Sequence, residues 1–121
     1  MKALIATAVL TLAVSSLTAA GEKETIFAPE GWTAAVCDRE AKTCFDQQGI
    51  SLGLIEEAFG AAAARKVGDD IGKIPEKAFD RTVFTMTGGV TCKTKEERCY
   101  VDKWSETVDE RVTKLLFPDA R

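Results

Sequence analysis

CDREAKTC (Cys37–Cys44) and CKTKEERC (Cys92–Cys99) hold all four cysteines of the chain, as two copies of the spacing C-x6-C. Each has a charged interior and is followed by an aromatic residue: Phe45 and then Asp46 in the first, Tyr100 and then Val101-Asp102 in the second. The motifs must be metal knuckles, redox centres or staples, and the fold depends on which. Structural zinc sites place two to four residues between ligands, so that both sulfurs point inward from one tight turn. Six intervening residues give no such knuckle, and the chain has no histidine to complete a mixed site. A thioredoxin-like centre needs C-x-x-C with a thiolate held at a helix start, which neither motif provides. Iron–sulfur ligation and haem attachment fail on the same spacing. Staples remain.

If Cys37 faces Cys44 across a hairpin, then Asp38 faces Thr43, Arg39 faces Lys42, and Glu40-Ala41 forms the tip. In the second loop Lys93 faces Arg98, Thr94 faces Glu97, and Lys95-Glu96 is the tip. Cysteines opposed in a non-hydrogen-bonded antiparallel pair are close enough to bond. Four cysteines permit three pairings. The expected one is Cys37–Cys44 with Cys92–Cys99, since the crossed pairings would instead tie the two halves of the domain together. Each bond closes a small loop, worth about 2–3 kcal/mol, a large share of a small domain's stability.

The start of the chain supplies an oxidising setting. Met1-Lys2 is a short basic end, residues 3–14 are apolar, and small residues lead to Thr18-Ala19-Ala20. This is the layout of a secretory signal peptide, and the apolar run is shorter than the roughly 20 residues of a spanning helix. The expectation is a signal peptide over 1–20 and one small periplasmic domain over 21–121. Paired thiols become disulfides in that compartment. Losing the single charge of Lys2 takes the net charge from -3 to -4. Scattered basic residues on an acidic chain argue against nucleic acid and against an anionic membrane as partner.

Outward from the motifs, the remaining elements follow from periodicity. Ile26 and Phe27 suggest an edge strand, and WTAAVC leads into the first staple. After Ser51, LGLIEEAFGAAAARKV reads as one helix with Leu52, Ile55, Phe59 and Ala62 on a face and Gly68 as its stop. Residues 68–81 read as a loop with a helical turn after Pro75. TVFTMT alternates and Gly88-Gly89 signals a two-residue hairpin, giving a meander over 82–87, 90–94 and 98–101. Trp104, Val108, Val112 and Leu115, spaced 4, 4 and 3, read as a second amphipathic segment stopped by Pro118. The fold class is α+β: a small antiparallel sheet of short hairpins with two packed helices, disulfide-stapled. Sheet piece, helix, sheet piece, helix hints at a repeated unit, although only the cysteine motif recurs visibly.

Catalytic chemistry has few carriers. Without histidine or asparagine there is no Ser-His-Asp, Cys-His or histidine–metal arrangement. Ser51 and Ser105, the only serines beyond residue 20, both sit beside expected helix starts, where capping explains them. Asp69-Asp70 lacks the ligand spacing of a calcium loop, and the glycine-rich stretches carry no phosphate-binding pattern. The reading is a non-enzyme without metal or cofactor that acts by surface contact. Candidate contact residues are the tip residues Arg39, Lys42, Lys95 and Glu96, together with Trp32. Trp104 is assigned to the core, because it falls on the apolar face of its segment.

Val36-Cys37-Asp38, Cys44, Asp46, Gly49-Ile50-Ser51, Phe84, Gly88, Cys92 and Cys99 together resemble a family of short exported enterobacterial proteins named after a Fels prophage protein. The resemblance covers roughly 29–101 and leaves the segment from Trp104 onward as an extension. It implies a periplasmic location and a stapled fold more than an activity. Size, export and double staple are also similar to periplasmic immunity proteins and lysozyme inhibitors. The expected function is therefore contact with a periplasmic or secreted protein, a toxin or lysozyme-like enzyme, as a monomer or small homo-oligomer. An envelope protein of structural or unknown role is the competing reading, and a small hydrolase comes third.

Overall fold

A computed structural model describes residues 24–120, so the signal peptide expected over 1–20 lies outside the described residues. The order is β1 (Ile26–Phe27), β2 (Ala35–Asp38), β3 (Thr43–Asp46), β4 (Gly49–Ile50), α1 (Leu52–Phe59), α2 (Ala61–Gly72), a 3-10 turn (Glu76–Ala78), β5 (Val83–Thr85), β6 (Thr91–Lys93), β7 (Arg98–Tyr100) and α3 (Glu110–Leu116). The strands form two antiparallel sheets, β1-β2-β3-β4 and β5-β6-β7. The α+β architecture of short hairpins and helices is the expected one. Both staples form as the spacing predicts, Cys37–Cys44 and Cys92–Cys99, each joining directly opposed residues.

Alternation along β2 and β3 explains how the core is layered. Val36 and Phe45 point to one side, into a cluster with Ile26, Met86, Cys92, Cys99, Val112 and Leu116. Ala35, Cys37 and Cys44 point to the other, against Leu54 and Ile55 of α1. The first sheet is thus covered by α1 and α2 on one face, and by α3 and the second sheet on the other. Phe45 stacks on Phe84 at 4.0 Å across the two sheets. Asp38, fully buried, accepts from the N–H groups of Glu40 and Ala41 in its own tip and from Thr87 N in the second hairpin at 2.8 Å.

Three sequence readings are corrected. The helix expected to run unbroken from Leu52 is two helices, because Gly60 takes φ 102, a conformation that leaves the helix and favours glycine. The apolar face restarts after the break, so Ala63, Ala64 and Val67 pack where Ala62 was expected, and Gly68 stays helical. The connection at Gly88-Gly89 encloses three residues, since Met86 N bonds to Val90 O. The tail forms a helix only from Glu110, capped by Asp109, which accepts from Val112 N. Val108 is a bridge residue opposite Tyr100, and Trp104 lies in a turn, 84% exposed.

The repeat hinted at by the cysteines extends through the backbone. Thr25-Ile26-Phe27 and Thr82-Val83-Phe84 open the two units, with Phe27 opposite Cys37 and Phe84 opposite Cys92. Arg39 N bonds to Thr25 O and Thr94 N to Thr82 O, both at 2.8 Å. Lys42 and Glu97, at matching places in the tips, take φ 57 and 56. Phe45 pairs with Ile50 as Tyr100 pairs with Val108. Ser51 N then bonds to Cys44 O, and Asp109 N to Cys99 O, at 2.9 and 2.8 Å. Each of these two residues caps a helix with its side chain. One strand–staple–bridge–capped-helix unit is used twice.

The copies diverge at three places. α2 follows α1 only in the first. Residues 101–107 stand where the first copy has the short 46–49 turn. In the loop before the first staple, Trp32 N bonds to Pro29 O as Gly89 N bonds to Met86 O. The first loop is also two residues longer, ten positions from Phe27 to Cys37 against eight from Phe84 to Cys92, and Trp32-Thr33 lies between the positive-φ residues Gly31 and Ala34, whereas Gly88 and Gly89 are adjacent.

Candidate functional site

The loop before β2 displays Trp32. Pro29 is buried, Gly31 turns the chain at φ 85, and Ala34 takes φ 57 before the strand begins. The indole is 49% exposed and fixed, because its Nε1–H donates to Glu57 Oε1 of α1 at 2.8 Å. Hollows lie on both sides of it. The larger, about 890 Å³, runs from Trp32 along Ala34, Ala35 and Leu54 to Asp46 and Glu56. The smaller, about 380 Å³, contains Phe27, Glu30 and Arg39.

Of the expected contact residues, Trp32 and Arg39 are brought to one place. The Arg39 guanidinium lies 4.1 Å over the Phe27 ring while its Nε donates to Glu24 O, so this side chain is largely held. Lys42 is exposed at the first tip. Lys95 and Glu96 sit on the second tip, in the other sheet. Glu96 is engaged, since it accepts a hydrogen bond from the Tyr100 hydroxyl. That bond, then burial and the nearby carboxylate charge, raises the phenol above its ordinary 10.0. Glu57 was missed at the sequence level; it lies 25 residues from Trp32, and no local pattern links them.

The remaining polar side chains serve structure. Ser51 Oγ accepts from Leu54 N as expected of a cap. Ser105, expected to cap a helix, instead accepts from Thr107 N within a turn. Asp70 pairs with Lys66 one helical turn away at 3.0 Å, an exposed pair. Among the described residues no group of three or more Cys, Asp or Glu side chains is placed to hold a metal ion. Among the same residues no helix is long and apolar enough to cross a membrane. The arrangement offers a fixed aromatic and an acid-lined groove, which suits binding.

The YcgJ protein family model matches residues 28–117. No curated protein and no solved structure matches the chain. The family match covers every residue that carries the Fels prophage-protein resemblance. It also runs through α3, so the segment from Trp104 to Phe117 is part of the family's domain rather than an extension.

Proposed function

The chain belongs to the YcgJ protein family, and from that footing we propose that it is exported to the periplasm and acts there without chemistry of its own, as an inhibitor or immunity partner of an enzyme that attacks the cell envelope. The observation that carries this reading is the display of Trp32. A large aromatic residue stands half-exposed in a loop two residues longer than its counterpart in the second copy, so the repeated unit itself does not call for it. Glu57 holds the indole in one orientation, which lowers the ordering cost of binding. Tryptophan is among the residues that most often anchor interfaces. Two oxidised staples and no free cysteine among the described residues suit the compartment.

The test is capture by the purified, oxidised protein from periplasmic extract and from extracts of toxin-bearing competitors, followed by assay of what is captured. The expected result is a stoichiometric envelope-attacking enzyme whose activity falls as the protein is titrated in. No stoichiometric partner, or a captured enzyme with undiminished activity, would count against the reading. Export is checked separately, by N-terminal sequencing of the protein from the periplasmic fraction, with Gly21 expected first.

A further inference from the structure

We propose that the groove beside Trp32 docks a basic segment of a protein partner, with an arginine or lysine side chain lying on the indole and its charge among Asp46, Glu56 and Glu57. This deepens the contact reading above and rests on it. The groove's volume, about 890 Å³, accommodates a side chain with its flanking backbone. Its floor is apolar, formed by Ala35 and Leu54, 1% and 5% exposed. Its charged lining consists of Asp46, Glu56 and Glu57 only, with no lysine or arginine. Charge complementarity therefore selects a cationic occupant.

The carboxylates are not equally committed. Glu57 Oε1 fixes the indole, and Asp46 Oδ1 accepts from Gln48 N. The Glu56 carboxylate makes no hydrogen bond or ion pair among the described residues, and the residue is exposed on α1 beside the groove. Trp32 supplies the matching face. A guanidinium over an indole is favoured by the ring's negative face, most strongly for tryptophan. The chain uses the same contact internally: Arg39 covers Phe27 at 4.1 Å and Lys103 covers Trp104 at 5.0 Å. Among the described residues no cation of the chain covers Trp32. The net charge of residues 21–121, -4 once the single charge of Lys2 is taken from the -3 of the whole sequence, adds a long-range pull on basic partners and opposes nucleic acid.

A peptide titration tests this without a natural partner in hand. The probes are acetyl-Gly-Arg-Gly-amide and its glutamate counterpart, added to the oxidised protein while the two tryptophan indole N–H resonances are followed. The arginine probe is expected to move the Trp32 signal saturably and the glutamate probe to leave it in place, with Trp104 serving as the exposed control. Glu56→Gln should weaken the arginine probe about threefold, the range of one exposed ion pair. About 1 M salt, with a screening length near 3 Å, should weaken it similarly. A still Trp32 signal, equal responses to both probes, equal movement of Trp104, or no effect of Glu56→Gln would overturn the proposal. A silent titration alongside successful capture moves the contact surface elsewhere. Failed capture alongside a saturable titration instead defeats the inhibitor reading and leaves the groove's chemistry standing.

Discussion

Replacing Asp38 by alanine removes three hydrogen bonds, one of which joins the two units of the fold while two close its own hairpin tip. Oδ2 holds Thr87 N of the second hairpin at 2.8 Å, in a half-buried position that water reaches poorly. A hydrogen bond to a charged acceptor is worth about 1.5–3 kcal/mol. Oδ1 holds Glu40 N and Ala41 N at 3.1 Å, but these belong to an exposed tip where water replaces the lost acceptor. They add about 0.5 kcal/mol each. The total is about 2.5–4 kcal/mol, against a stability of about 5–15 kcal/mol for a domain of this class. At about 4–8 °C per kcal/mol, Tm should fall by about 10–30 °C. Asp38→Asn separates the contributions. Its carbonyl still serves the tip, but its amide places a donor against Thr87 N–H, so it should recover only about 1 kcal/mol of the loss. Urea unfolding of the oxidised proteins measures all three. Asp38→Ala within about 0.5 kcal/mol of wild type, the range of a surface substitution, would refute the idea that this carboxylate ties the units together. So would an asparagine variant as stable as wild type.

Gly49 takes φ 109, and a Cβ there would overlap the Arg81 carbonyl oxygen, so Gly49→Ala should cost about 2 kcal/mol or more in the same unfolding assay. Trp104→Ala should change stability by less than about 0.5 kcal/mol, whereas Ile55→Ala, at a fully buried position, should cost about 2–5 kcal/mol. Tyr100 is the chain's one tyrosine, so tyrosinate absorbance should report a pKa above 10.0, returning toward that value in Glu96→Gln. The neutral phenol is the form favoured by folding. Its contribution is therefore complete below the unfolded pKa and lost as pH rises through the folded one.

The stapled hairpins were legible because C-x6-C sets the register once each motif pairs within itself, and Lys93 opposite Arg98 then follows from counting alone. The single helix beginning at Leu52 was misread because the apolar spacing before Gly60 and the alanine run after it mask one backbone angle at that glycine. Trp104 was misread because a spacing of 4, 4 and 3 is counted along the chain whatever the backbone does. Asp109 before Val112 and Leu115 was the better helix-start signal. The repeat was hinted at by the cysteines, and the flanks Thr-Ile-Phe and Thr-Val-Phe are too short to establish it without the bonds from Thr25 and Thr82. The Trp32 groove could not be read, because Trp32, Asp46 and Glu56 come from a loop, a strand and a helix that only folding brings together.

We propose that the protein works by presenting Trp32 to an enzyme. The most direct test of this is the binding isotherm between the oxidised protein and the captured enzyme, measured for wild type, Trp32→Ala and Trp104→Ala. One-to-one binding is expected, weakened about tenfold or more by loss of an anchoring tryptophan at position 32 and unchanged by the substitution at position 104. Equal affinity for wild type and Trp32→Ala would contradict it.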